Sequence, residues 1–320
     1  AGNEALTLNT TGYHNTGLGS SALGSNTTGH DNTAAGKSAL INNVTGAYNT
    51  AVGRSALHSS GSSSHNTALG YFALYVNTTG TANIAVGNYT LDANTSGSYN
   101  TAIGYTALTK NTTASNNVAV GRQSLEDTTA GEANTAIGNF SGKENTTGTY
   151  LTAVGYQAAE SNTTGNSNTA VGRRALMSST TANNNTAVGA LALDQSTTGG
   201  DNSALGEKAL EANTTGGGNT AIGRDALGAN TTGGENVGVG NHAGKLITTG
   251  NRNTAVGSQA MYSGGGNASD NVAIGRMALK VVTSGGNNTV VGKGAAQTLT
   301  TGTMNSALGS DALQQNTTAS

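Results

Sequence analysis

A glycine returns every seventeen residues along this chain, at Gly2, Gly19, Gly36, Gly53, Gly70, Gly87 and Gly104 and on to Gly257, then after one extra residue at Gly275, Gly292 and Gly309. These nineteen copies of one unit leave room for little else. A fixed period of this length marks a stack, in which each copy can bury its apolar side only against its neighbours. With the glycine as position zero, the unit reads Asn-Thr-Ala-Val/Ile-Gly-x-x-Ala-Leu-x-x-Asn-Thr-Thr-Gly-x-x, as in Asn49, Thr50, Ala51, Val52, Gly53, Ala56 and Leu57. Asn holds position minus four except at Leu151, and Leu holds plus four except at Gly142, Ala159, Gly244, Met261 and Ala296.

Seventeen residues are too few for the two helices and turns of a helical repeat, and the Gly, Asn and Thr that fill the unit are poor helix formers. The period therefore predicts an all-β fold, a parallel β-solenoid or β-roll of about nineteen coils with one repeat per coil. Equivalent residues would stack about 4.7 to 4.9 Å apart, and residues 1–320 would form a single continuous array roughly 90 Å long. The chain has no Pro, which suits an unbroken backbone ladder, and no Cys, so neither disulfides nor thiolate metal sites contribute. With 34% hydrophobic and 4% aromatic residues, a conventional globular core is excluded and a thin one, one layer per coil, is allowed. Charge is sparse at 9% of residues, with a net charge of -2 and no basic stripe. That disfavours nucleic acid, and no apolar stretch is long enough to insert into a membrane.

Substitutions between copies suggest which side chains point inward. Position minus three is Thr in most copies but Ile84, Val118, Val237 or Val272 in others, and minus one is nearly always Val, Ile or Leu. Strand alternation puts these two on one side, read as the core side, with Ala at minus two facing away. Leu at plus four is the largest regular core residue, so Gly142 and Gly244 are expected to be weak points unless neighbours fill the gap. The Asn-Thr-Thr-Gly that follows reads as a turn, with Gly supplying positive φ. The eighteen-residue unit holding Gly264, Gly265 and Gly266 is expected to loop out its extra residue as a neutral insertion in a turn, the alternative being a local recognition bump with Met261 and Tyr262.

The Asn column at minus four (Asn15, Asn32, Asn49, Asn66, Asn83, Asn100) and the glycine column (Gly19, Gly36, Gly53, Gly70, Gly87, Gly104) are expected to form structural ladders, the amides satisfying backbone groups from coil to coil. The Thr column at plus eight (Thr10, Thr27, Thr78, Thr95, Thr112, Thr146, Thr163, Thr214, Thr231) is a candidate surface for ice or glycan, although these Thr lie in a turn. No nucleophile, base and orienting acid recur together, so no enzyme activity and no catalytic residue are expected. Gly142-Lys143, Gly244-Lys245 and Gly292-Lys293 lack the spacing of a phosphate loop. The five His residues form no metal-ligand pattern and read as solvated; no metal and no cofactor are expected.

Asn116-Asn117-Val118-Ala119-Val120-Gly121, Asp270-Asn271-Val272-Ala273-Ile274-Gly275 and Ala82-Asn83-Ile84-Ala85-Val86-Gly87 resemble the Asn-Ser-Val-Ala-Ile-Gly motif in head repeats of trimeric autotransporter adhesins. The wider array is similar to the shafts of phage tail fibres and bacterial surface fibres. This resemblance implies a left-handed parallel β-roll, a homotrimer, and an extracellular place on a cell surface or virion tail. The chain begins and stops mid-unit with no polar cap, which reads either as a window of a longer fibre or as copies joined end to end. The functional expectation is a structural fibre shaft presenting a receptor-binding tip, with itself as partner and a host receptor engaged through parts outside this chain.

Overall fold

The structure, a computed structural model, describes residues 2–263 and 266–318. It divides into two compact units, Ala1–Thr164 and Gly165–Ser320, each an all-β parallel β-solenoid of seventeen-residue coils. Each coil contributes one three-residue strand: β1 (Thr16–Leu18) to β9 (Thr152–Val154) in the first unit, β10 (Thr169–Val171) to β18 (Ser306–Leu308) in the second. Successive strands within a unit pair in parallel, every residue opposite its counterpart one repeat on, as in Thr33↔Thr50 and Thr169↔Thr186. The longer repeat between β15 (Thr254–Val256) and β16 (Val272–Ile274) keeps this register, with Thr254 opposite Val272. Gly264 and Gly265, where the extra residue is expected, lie outside the described residues.

Three-residue strands alone make a short ladder, but bonding to neighbouring coils continues around the turns. In the coil of Gly36, the amides of Thr33, Leu40 and Asn42 donate to the following coil at Asn49, Ala56 and His58, over 2.9 to 3.1 Å. Those of Asp31, Gly36 and Ser38 donate to the preceding coil at Tyr13, Leu18 and Ser20, over 2.8 to 3.1 Å. The chain turns its corners by alternating backbone hand: positions minus five, plus two and plus four take positive φ in copy after copy, as at Asp31 (55°), Ser38 (57°) and Leu40 (52°). This alternation rotates the chain while keeping N–H and C=O groups pointing along the stack, where they find partners.

The left-handed positions explain a pattern in the repeat. A β-branched side chain is costly at positive φ. Plus four accordingly accepts Leu, Met, Ala or Gly and never Val, Ile or Thr, and minus five never carries a β-branched residue. The β-branched residues instead recur at minus three and minus one, where the backbone is extended, and at plus eight and plus nine, where they also stay out of positive φ; Thr106 at plus two (52°) is the exception among the described residues.

The core lies opposite to the sequence expectation. Ala51, Ala85 and Ala119 at minus two are fully buried, while strand after strand shows its minus three and minus one residues outward, as in β3 (Thr50–Val52) and β6 (Thr101–Ile103). The interior is too thin for large side chains from both walls. Leu at plus four fills it from the turn side, and only a methyl group fits against it from the strand. Alanine at minus two is thus the inward residue, and the aliphatic residues at minus one form the outer surface.

Gaps in the Leu column are filled from other positions. At Gly142 the space is occupied by Leu151, and a Cβ there would stand 2.9 Å from Leu125 Cδ2 and 3.1 Å from Leu151 Cδ2. At Gly244 the filler is Ile247, with Cδ1 3.1 Å from where a Cβ would stand. Ala296 is accompanied by Leu299 and Val290, all three buried. Met261 is fully buried in the Leu column, so it is core rather than a surface bump.

Candidate functional site

The amide column at minus four is built into the coil interior. Asn32, Asn49, Asn66, Asn83 and Asn100 are buried, while Asn15 is half-buried. Each buried amide works in two directions. Asn32 Nδ2 donates to the carbonyl of Gly46 in its own coil at 2.8 Å, and its Oδ1 accepts the backbone N–H of Asn49 in the next coil at 2.9 Å. Asn83 and Asn100 repeat the pattern, with Asn83 Nδ2 to Gly97 at 2.8 Å and Asn100 N–H to Asn83 Oδ1 at 3.0 Å. These side chains are spent inside the fold and offer nothing to a ligand.

The glycines at position zero take φ between 120° and 143° at Gly19, Gly36, Gly53, Gly70, Gly87, Gly104 and onward. They also approach one another closely, since a Cβ on Gly53 would meet the Gly70 carbonyl carbon at 2.8 Å. The glycine at plus ten differs from expectation. Gly29 and Gly80 stay out of the positive-φ region, and close approach requires them: a Cβ on Gly29 would come 2.8 Å from Asn43 Nδ2.

A second amide column at plus seven, read from sequence as turn chemistry, is also buried. Asn26 donates to Asn9 Oδ1 at 2.7 Å and Asn43 to Asn26 Oδ1 at 2.8 Å, and each also donates to the plus-ten carbonyl of its coil. Where Asn gives way to Thr128 the column breaks: Asn111 Oδ1 and Thr128 Oγ1 are buried without a partner.

The Thr column at plus eight is half-buried to exposed at Thr10, Thr27, Thr78, Thr95, Thr112, Thr146, Thr163, Thr214 and Thr231, and its hydroxyls are engaged. Thr27 donates to the Val44 carbonyl at 3.0 Å, Thr78 to Thr95 at 2.9 Å, Thr146 to Thr163 at 2.9 Å and Thr214 to Thr231 at 2.9 Å. The regular outward surface lies instead on the strands. Thr or an aliphatic residue at minus three and Val, Ile or Leu at minus one face solvent on strand after strand. Leu69, Ile84, Ile103 and Ile137 in the first unit and Leu205, Ile222 and Ile274 in the second are each 39 to 51% exposed. No charged residue occurs at minus three, minus two or minus one in any strand.

Variable side chains cluster along two other edges, where residues far apart in sequence become neighbours. At plus one, plus two and plus five of successive coils, Tyr71, Phe72, Tyr75 and Tyr89 meet with ring centroids 4.4 to 5.9 Å apart. Tyr105 extends the group at 6.4 Å from Tyr89, and His58 packs on Tyr75 at 4.8 Å. At the same repeat positions in the second unit, buried Asp225 gathers Arg224 (3.3 Å), His242 (3.2 Å) and Lys245 (3.3 Å), and Asp194 takes a two-pronged bond from Arg174 at 3.0 and 3.1 Å. On the minus-five and minus-six edge, His30 stacks on Tyr13 at 4.7 Å and His65 on Tyr48 at 4.9 Å. Asp31 sits between His14 and His30 at 3.2 and 2.9 Å, and the His30 hydrogen bond holds its carboxyl below the usual range. The histidines read from sequence as solvated are thus paired side chains of these edges. The period that reveals the fold hides these groups, because they depend on comparing one coil with the next rather than with the consensus.

No protein-family model matches this chain, and a search of curated proteins likewise returns no match.

Proposed function

We propose that this chain is a structural, non-enzymatic element: the shaft of an extracellular fibre, on a cell surface or a virion tail, that holds a receptor-binding tip contributed by other parts of the assembly. The observation that carries this reading is the direction of the bonding. Backbone amides, the side chains of two Asn columns and the plus-eight Thr hydroxyls bond from each coil to its neighbours, so the chemistry that recurs from copy to copy is largely spent on joining one coil to the next. Such a ladder resists bending and proteolysis, which is what a shaft does.

The same reading takes self-association through the outward strand face. Exposed aliphatic side chains recur at minus one on strand after strand, as at Leu69, Ile103 and Ile137, and exposed apolar surface that extends beyond a few hundred Å² marks interaction sites; this face carries no charge that would oppose a second copy. Lysine at Val86, Ile103 and Val120 is expected to reduce the assembled mass in light scattering to that of one chain, with the circular dichroism spectrum unchanged. A wild-type chain that stays monomeric at high concentration would refute the self-association. Electron microscopy that finds no extended particles would refute the shaft.

A second reading follows from the Thr and Val rows on the same face, which place hydroxyl and methyl groups in a regular, uncharged grid suited to ordered water. An ice-binding face of this kind produces thermal hysteresis, and its absence in concentrated protein removes the reading.

A further inference from the structure

We infer that the aromatic cluster of Tyr71, Phe72, Tyr75, Tyr89 and Tyr105 is a binding platform for a neutral oligosaccharide. Five of the twelve Tyr and Phe residues of the chain fall in this one patch. The coil does not need them for its core: other copies carry Ser20, Ser21, Ser38 or Asn139 at the same positions, and all five rings lie outside the buried interior. Tyr105 is 53% exposed and Tyr89 37%. At plus two the backbone is left-handed, with φ of 56° at Phe72 and 54° at Tyr89, a conformation that favours Gly, Asn or Asp over an aromatic. Departures from both the repeat and the backbone preference coincide in two successive coils, at Phe72 and Tyr89, and Tyr105 at plus one carries the aromatic group into a third.

Size and surroundings select the ligand class. Three coils rise about 15 Å, about half the 28 Å or so across a square patch of the roughly 800 Å² that a stable protein partner covers on each side. They match a short sugar chain lying along the stack. Aromatic rings receive the C–H face of a pyranose, and tyrosine presents an apolar body with a polar tip at low entropic cost. The rim supplies hydrogen-bonding groups: the Arg54 guanidinium lies 5.7 Å from the Tyr71 ring centroid, and the Asp92 carboxylate is steadied by Thr109 at 2.7 Å. One cation and one carboxylate balance, so the patch has no field to select a charged polymer, and a neutral glycan fits.

The test uses the intact chain and does not depend on whether it assembles. Because there is no Trp, intrinsic emission comes from tyrosine, and titration with cellohexaose, chitohexaose, maltohexaose and xylohexaose is read directly, alongside a neutral-glycan array. Saturation-transfer NMR then identifies which sugar protons touch the protein. Tyr89→Ser with Tyr105→Ser, residues that other coils carry at these positions, is expected to weaken binding at least tenfold without changing the melting temperature. Tyr156→Ser, away from the patch, is expected to leave binding unchanged. Failure of every neutral glycan to bind at millimolar concentration, or equal binding by the double variant, overturns the proposal.

Discussion

Leu108 shows how one residue position couples backbone hand to core filling. It is fully buried and sits at φ 52°, where an unbranched Cβ is tolerated and a branched one is strained. Leu108→Ile changes no volume, and such swaps ordinarily cost less than about 1.5 kcal/mol. Here the left-handed backbone further penalises a Cβ branch that Leu and Met lack, so Leu108→Ile is expected to lower the urea midpoint more than Leu108→Met. Thr128 offers the opposite case. Thr128→Asn reconnects the amide column to the unpartnered Asn111 Oδ1 and is expected to stabilise by about 1 kcal/mol, read as a higher urea midpoint at unchanged slope.

Two titrating groups on the variable edge act in opposite directions. Burial lowers the imidazole pKa of His58, so the unfolded chain binds more protons and the contribution of His58 is lost as pH falls below about 6.5. Burial raises the carboxyl pKa of Asp92, the Thr109 hydrogen bond opposing it. Its contribution is present below about pH 3.9 and lost as pH rises through the raised folded value. Asp92→Asn keeps an oxygen for Thr109 and is expected to gain stability over wild type as pH rises above about 4. His58→Ser is expected to flatten the loss on the acid side of 6.5. Urea midpoints across pH check both.

At the scale of the coil, the weak points expected at Gly142 and Gly244 turn out to be exchanges. Leu151 leaves the amide column to occupy the volume that Leu gives up at Gly142, and Ile247 does the same beside Gly244. Leu151→Asn alone is expected to open a cavity costing about 2 to 5 kcal/mol, and Gly142→Leu alone to overpack by about 1 to 3 kcal/mol. The double variant restores the consensus and is expected to recover most of the loss, giving a coupling energy in a double-mutant cycle.

The period, the all-β class and the one-strand coil were legible in the sequence because they follow from spacing alone. The inward face was not. Ala51 and Val52 alternate in a strand either way, and the choice depends on how thin the interior is, which in turn depends on Leu57 entering from a turn whose left-handed backbone no local motif announces. The burial of Asn43 and its pairing along the stack were not legible for a related reason, since a buried amide has the same sequence context as an exposed turn. The aromatic platform was hidden because Tyr71, Tyr89 and Tyr105 occupy two different positions of the repeat and meet only across coils.

At the scale of the whole molecule, the proposed self-association rests on the outward strand face. Because minus three and minus one carry no charge, association through this face is expected to hold or strengthen as salt rises, unlike contacts made by surface ion pairs, which screening weakens. Sedimentation at low and high ionic strength checks this.

The register has a genetic consequence. Within each unit every strand is positioned only by the coils on either side, in the fixed offset that pairs Thr33 with Thr50 and Thr50 with Thr67. Loss or duplication of one whole repeat therefore rejoins like to like and leaves every remaining pairing intact, whereas a shift within a strand would misalign the ladder. Recombination between near-identical repeats can thus change the number of coils without having to reinvent the fold, so that length becomes a trait open to selection in steps of one coil.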